Sequence, residues 1–166
     1  AFAPYFPFAG KTPRVTDAAR AATLLDAAGW TAGADGLRAK DGVPLKLTVL
    51  TYSSRPDLVT MLPVVAAELA RLGIGTETRV VESPNDVAAE GDFDLFLWAQ
   101  HTAPSGDPAF FFNSMLVTGA PLNFARYASP DFDATVAKFA ETADPAERAA
   151  IAEAAQAQLF EDVPVT

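Results

Sequence analysis

Cysteine is absent from this 166-residue chain and histidine occurs once, at His101. The first absence excludes a disulfide scaffold, thiolate metal sites and a cysteine nucleophile. Basic residues are scarce as well: 12 Lys and Arg stand against 21 Asp and Glu, a net charge of −9. A nucleic-acid binder needs a basic face to neutralise phosphates, so the charge argues against that class and equally against docking on anionic lipid. No apolar run approaches the ~20 residues that span a bilayer. The longest, around residues 93–99, has the length of one strand. Neither an initiator Met nor a leader-like n-region and h-region opens the chain. Both ends read as cut, and the chain is expected to be a fragment of a longer one.

What is present suffices for a core. Half the residues are hydrophobic and a fifth charged, as in an ordinary globular domain of this length. Residues 1–16, with prolines at 4, 7 and 13, predict extended coil. Asp17 is an N-cap for an alanine-rich helix over 18–28 that Gly29 ends. Residues 30–43, punctuated by Gly33, Gly36 and Gly42, read as turns. Alternation at Leu45, Leu47 and Val49 predicts a strand to Tyr52. Leu58, Leu62, Val65, Leu69 and Leu72 then form a helical stripe ending at Gly73, with Pro63 placed to kink it or delay its regular part.

A second strand over 74–81 completes a βαβ unit, which implies parallel pairing. Residues 93–99 read as a continuously apolar strand covered on both faces. Ser83-Pro84, Asp107-Pro108, Ser129-Pro130 and Asp144-Pro145 each announce a helix start. Helices follow over 108–116, 130–142 and 145–161, with Phe132, Val136, Phe139, Ile151, Ala155 and Leu159 on buried stripes. The fold class is α/β: a small, mainly parallel sheet with helices on both faces, in a single domain over 1–166. A cooperative, monomeric unit is expected.

Ligands of such folds gather at the carboxyl ends of the strands. Arg55 lies between a strand end and a helix N-terminus, where a guanidinium suits a carboxylate; the alternative is a solvated pair with Asp57. Trp98 is either a flat wall for a ligand or plain core. Asp107 is most simply a helix cap. Asn123 and Tyr127 occupy a polar loop with no evident local task. A hydrolase using His101 with Ser105 and Asp107 is the reading from another class. It would draw three members from one short loop, without a G-x-S-x-G elbow. One His and scattered carboxylates give no metal-ligand spacing, and no cofactor motif is present.

Residues 21–30 (AATLLDAAGW), Asp35 to Leu45, Arg71-Leu72-Gly73-Ile74, Gly91 to Leu95, Gly106-Asp107-Pro108, Tyr127-Ala128-Ser129-Pro130 and Glu161 to Pro164 carry a likeness in unbroken order. Through them the chain resembles the family 5 extracellular solute-binding proteins, the peptide, nickel and opine-type receptors of ABC importers. The resemblance implies one lobe of a type II periplasmic-binding-protein-like fold: the second large lobe of a two-lobed receptor that closes by hinge motion and serves permease subunits. It implies a periplasmic or extracellular place, no enzymatic activity, and a small-molecule ligand. In the peptide branch an Asp in the loop after the Trp strand holds the ligand's amino group. Pro104 falls there instead, and Tyr52 falls nearest the Arg that receives a peptide carboxylate. The segments 54–58 and 102–108 look like receptors for nickel or metal chelates, in which metal arrives already chelated. The His that some nickel receptors carry after the Pro108 helix has no match in Val117-Thr118-Gly119-Ala120. The expected ligand-facing set is Arg55, Trp98, His101, Ser105, Asp107, Asn123 and Tyr127. A di- or oligopeptide is the alternative ligand.

Overall fold

The structure, a computed structural model, describes residues 15–104 and 106–165. The coil reading of residues 1–14 and the place of Ser105 therefore lie outside the described residues. The chain divides into two compact units, Thr16–Ala99 and a second built on the chain from Gln100 onward.

In the first unit, Asp17 accepts from the Arg20 amide at 2.8 Å and starts helix α1 (Ala18–Ala27). Gly29 follows with φ +88°, the left-handed turn that ends it. The stretch expected to be only turns instead forms a small antiparallel sheet. Strands β1 (Thr31–Ala32), β2 (Arg38–Lys40) and β3 (Val43–Pro44) pair in that order. Asp41 and Gly42 both hold positive φ, 51° and 79°, between β2 and β3. A two-residue loop with that backbone matches the twist of a tight hairpin. Strands of two and three residues are too short for alternation to register, which is why the pattern missed them.

A parallel sheet forms the frame of this unit. Its order is β5-β4-β6, with β4 (Lys46–Tyr52) central, β5 (Gly75–Val81) on one side and β6 (Leu95–Phe96) on the other. Helix α2 (Pro56–Arg71) crosses from β4 to β5, and α3 (Pro84–Glu90) leads on to β6. The expected βαβ unit is present in register from Lys46↔Gly75 to Tyr52↔Val81. Leu58 and Leu62 are buried on the α2 stripe. The helix continues through Pro63, which lies on its exposed side. There the carbonyl that a proline leaves without a donor can turn to water.

The long apolar strand over 93–99 is a correction. Only Leu95 and Phe96 pair with β4, opposite Val49 and Leu50. Asp94 interrupts the apolar run, and its carboxylate accepts from the Thr48 amide at 2.7 Å. Leu95 is 37% exposed, so two-sided cover is not achieved.

The second unit is helical. It comprises α4 (Ala109–Met115), α5 (Pro130–Ala137) with a 3-10 turn at Lys138–Ala140, and α6 (Pro145–Asp162). Each begins within two residues of its Asp-Pro or Ser-Pro signal. Ser129 accepts from Phe132, and Asp144 accepts from Ala146 and Glu147. Phe112, Leu116, Phe132, Val136, Phe139, Ala152, Ala155 and Leu159 form one buried cluster. Phe112 meets Phe132 edge-on at 6.0 Å and stacks on Phe139. Burial of such aromatic and aliphatic side chains is worth roughly 1.5–3 kcal/mol each and dominates this unit.

Candidate functional site

The carboxyl end of β4 is built asymmetrically. Toward β5 the ladder continues past the strand, with the Ser53 amide donating to the Val81 carbonyl at 3.0 Å. Toward β6 the last backbone rung is the Leu97 amide on the Leu50 carbonyl at 2.8 Å. The parallel rungs that should follow would join Tyr52 to the backbone around Trp98. Hydroxyls take their place: Thr51 Oγ1 donates to the Leu97 carbonyl, and the Ala99 amide donates to Tyr52 Oη, both at 3.3 Å. Thr51 and Tyr52 are buried, so these bonds satisfy groups that could not turn to water. The chain thus forks where α/β sheets receive ligands.

Trp98 occupies this fork. Its ring lies 5.4 Å from Tyr52 and 5.0 Å from Phe96, the latter edge-to-face at 87°. Tyr52 and Phe96 close the triangle at 6.2 Å. Trp98 is half-buried, so it is braced by core neighbours while part of its surface remains available.

Arg55 stands on the loop after β4 as the residue before α2. Its Nε and Nη2 donate to the two carboxylate oxygens of Asp57 at 2.9 and 2.7 Å. That side-chain bond raises the Arg55 pKa and lowers that of Asp57. The solvated pairing weighed from sequence is therefore present. It engages one edge of the guanidinium, and the Nη1 donors remain for an anion.

The remaining candidates belong to the second unit. His101 is exposed and has no hydrogen-bond or ion-pair partner among the described residues. Asp107 caps α4 through Oδ1, which accepts from the Ala109 amide at 2.8 Å, while Oδ2 accepts from Arg148. The carboxylate is committed there, and no bond from Asp107 orients His101 among the described residues. The hydrolase arrangement accordingly lacks the link that a catalytic base requires.

Asn123 and Tyr127, which had no evident local task, prove to have one. Asn123 Nδ2 donates to the carbonyls of Tyr127 and Val117 at 2.7 and 3.2 Å, and Oδ1 accepts from the Tyr127 amide at 3.0 Å. Together they staple the loop between α4 and α5. Tyr127 Oη donates to Asp162 Oδ2 at 2.5 Å. Burial, and after it the bond to Asp162, raises the phenol's pKa above its ordinary value near 10.

Sequence reasoning missed Thr51, Arg148 and the task of the Tyr52 hydroxyl. Thr51 read as an ordinary strand residue and Tyr52 only as the position nearest a family Arg, and the abrupt end of β6 reveals what their hydroxyls do. Arg148 lies far along the chain from Asp107, and no local pattern links them.

Comparison with known proteins accords with this architecture. The family described as "Bacterial extracellular solute-binding proteins, family 5 Middle" matches residues 1–123. The periplasmic oligopeptide-binding protein OppA of Escherichia coli K12 is 32% identical over 169 aligned positions, 94% of this chain and 30% of that protein. The crystal structure of a nickel ABC transporter from Bacillus halodurans superposes with a TM-score of 0.87 at 32% identity, covering 98% of this chain and 34% of that one. NikA from Brucella suis in complex with Fe(III)-EDTA superposes at 0.80 with 32% identity, covering 97% and 34%. The chain spans about a third of the length of these relatives. Its parallel sheet and helices share the type II periplasmic-binding-protein fold of these neighbours. No helix among the described residues is long and apolar enough to cross a membrane. With the match covering most of the sequence, the chain belongs to the family 5 bacterial extracellular solute-binding proteins.

Proposed function

We propose that this chain is part of the second large lobe of a two-lobed receptor that captures nickel or a metal chelate, closes on it by hinge motion, and delivers it to ABC permease subunits. The likeness at TM-score 0.87 to a nickel ABC transporter protein carries the reading. The Brucella suis relative that holds Fe(III)-EDTA points to cargo that is already chelated. The composition agrees with that form of cargo. A segment with no Cys and a single His offers few donors to a bare ion, whereas a chelate brings its own. The metal is cargo here.

In this reading Trp98, held edge-on by Phe96 and against Tyr52, gives a flat apolar wall, and Arg55 offers its Nη1 donors to a ligand carboxylate. His101, an exposed imidazole of the second unit, has the donor chemistry to bind a chelated metal. A peptide ligand is the second reading, favoured by the 32% identity to OppA. Arg55 would then meet the peptide carboxylate. The test is the cargo of the full-length receptor, released by denaturation and identified by mass spectrometry with elemental analysis. Stoichiometric nickel or another metal with an organic chelator supports the first reading. Metal-free peptides replace it with the second.

A further inference from the structure

Arg148 projects from α6 with 17% of its side chain exposed. Nη1 donates to the carbonyls of Phe139 and Thr142 at 2.6 and 2.7 Å, and the guanidinium lies 4.9 Å from the centre of the Phe139 ring. Nη2 donates to Asp107. Asp107 needs only one oxygen to cap α4, and the Ala109 amide already occupies it. The second oxygen ties the entry of α4 to a cation that is fixed on three other sides. From there the connection runs back along the chain. The Gly106 amide donates to the Ala103 carbonyl at 3.0 Å, with Gly106 at φ +80°, and Ala103 packs on the Phe112 cluster. His101 stands two residues earlier, exposed and without a partner among the described residues.

We propose that Arg148 is a positioning residue for ligand binding: through Asp107 it fixes the stance of the segment that carries His101, without touching the ligand itself. The proposal rests on the receptor reading above. It assigns the ion pair a task beyond capping, because a planar fork held at two carbonyls and a ring leaves the carboxylate little choice of position. Lysine retains the charge but cannot reproduce that fork, so Arg148→Lys is the informative change. Asp107→Asn is its counterpart.

The experiment uses the full-length receptor with two probes, the Ni(II)–L-histidine chelate and a tripeptide, titrated calorimetrically well below each variant's melting midpoint. The His101 imidazole signal is followed by NMR and assigned by its loss in His101→Gln. Arg148→Lys and Asp107→Asn should each weaken whichever probe the wild type holds by about tenfold, and the double variant should lose no more than the worse single one. The His101 signal should shift in all three. Affinities within twofold of wild type overturn the proposal. So does weaker binding with an unmoved His101 signal, since Arg148 would then act through bulk stability. A wild type that holds neither probe sinks the receptor reading for these ligands, and this proposal with it, before any variant is compared.

Discussion

Replacing Arg38 with methionine tests how the first unit is held together. Arg38 is only 6% exposed, although it lies on a three-residue strand. Its Nε donates to the Leu72 carbonyl at the end of α2, at 2.7 Å. Nη1 donates at 2.6 Å to both the Trp30 carbonyl and Asp26 on α1. One side chain thus joins α1, the turn after it and the far end of the helix that begins beside Arg55.

Methionine keeps most of the apolar stem and removes every donor. The two carbonyl bonds come from a charged donor and are worth about 1.5–3 kcal/mol each. Asp26 is 56% exposed, so its pairing adds under about 1 kcal/mol. Water reaches part of the vacated space, and the expected loss is about 3–5 kcal/mol. At roughly 2–4 °C per kcal/mol for a chain of this size, the melting midpoint should fall by about 10 °C. Asp26→Asn should cost under about 1 kcal/mol, since both carbonyl bonds survive. Urea unfolding followed by circular dichroism reads both. A loss below about 1 kcal/mol for Arg38→Met, or equal losses for the two variants, would refute the assignment of the stability to the carbonyl bonds.

Gly73→Ala should destabilise by about 2 kcal/mol or more in the same assay, because the backbone sits at φ +77° and a Cβ would stand 2.4 Å from the Gly36 carbonyl oxygen. A neutral result would mean that the turn at Gly36 moves aside without cost. Tyr52→Phe leaves the Ala99 amide without its acceptor and should cost about 1 kcal/mol, with a changed near-ultraviolet signal from Trp98; an unaltered spectrum would remove Tyr52 from the fork. Asp57→Asn should free the Arg55 guanidinium and tighten an anionic ligand in the full-length receptor, and unchanged affinity would take Arg55 out of ligand binding. The raised Tyr127 pKa means the folded chain holds that proton more tightly than the unfolded chain does. Its contribution is full below pH about 10 and is lost as pH rises through the folded value. Tyr127→Phe should therefore flatten the fall in stability as pH rises above about 10, and an unchanged slope in urea titrations would contradict it.

Much of the frame was legible because its signals are local and repeated. The α2 stripe, the Thr- and Val-rich β5 and the helix starts at Pro84, Pro130 and Pro145 each depend on residues within one or two turns of one another. The errors share the opposite property. Apolar composition around Trp98 suggested a strand longer than its two paired residues, because strand length is set by which backbone groups find partners. Asp94 removes one such group at Thr48, and the hydroxyls of Thr51 and Tyr52 answer two more. Composition is blind to that exchange. The small sheet of β1 to β3 escaped for a related reason, since it is organised around a buried Arg38 that looks, in sequence, like a surface charge.

The same distinction separates the candidate residues. Arg55 and Trp98 were singled out because strand ends in α/β folds are where ligands meet side chains, a rule that follows from topology alone. Asn123 and Tyr127 were singled out because they are polar in a loop, and Asp107 through its place before Pro108, and neither polarity nor position reveals direction. In the structure their hydrogen-bonding capacity is turned toward the protein: Asn123 to its own loop, Tyr127 to Asp162, Asp107 to α4 and Arg148. His101 differs from them in having its imidazole uncommitted among the described residues. A binding surface needs both kinds of residue. The uncommitted ones meet ligand, and the committed ones remove the conformational freedom that binding would otherwise have to overcome.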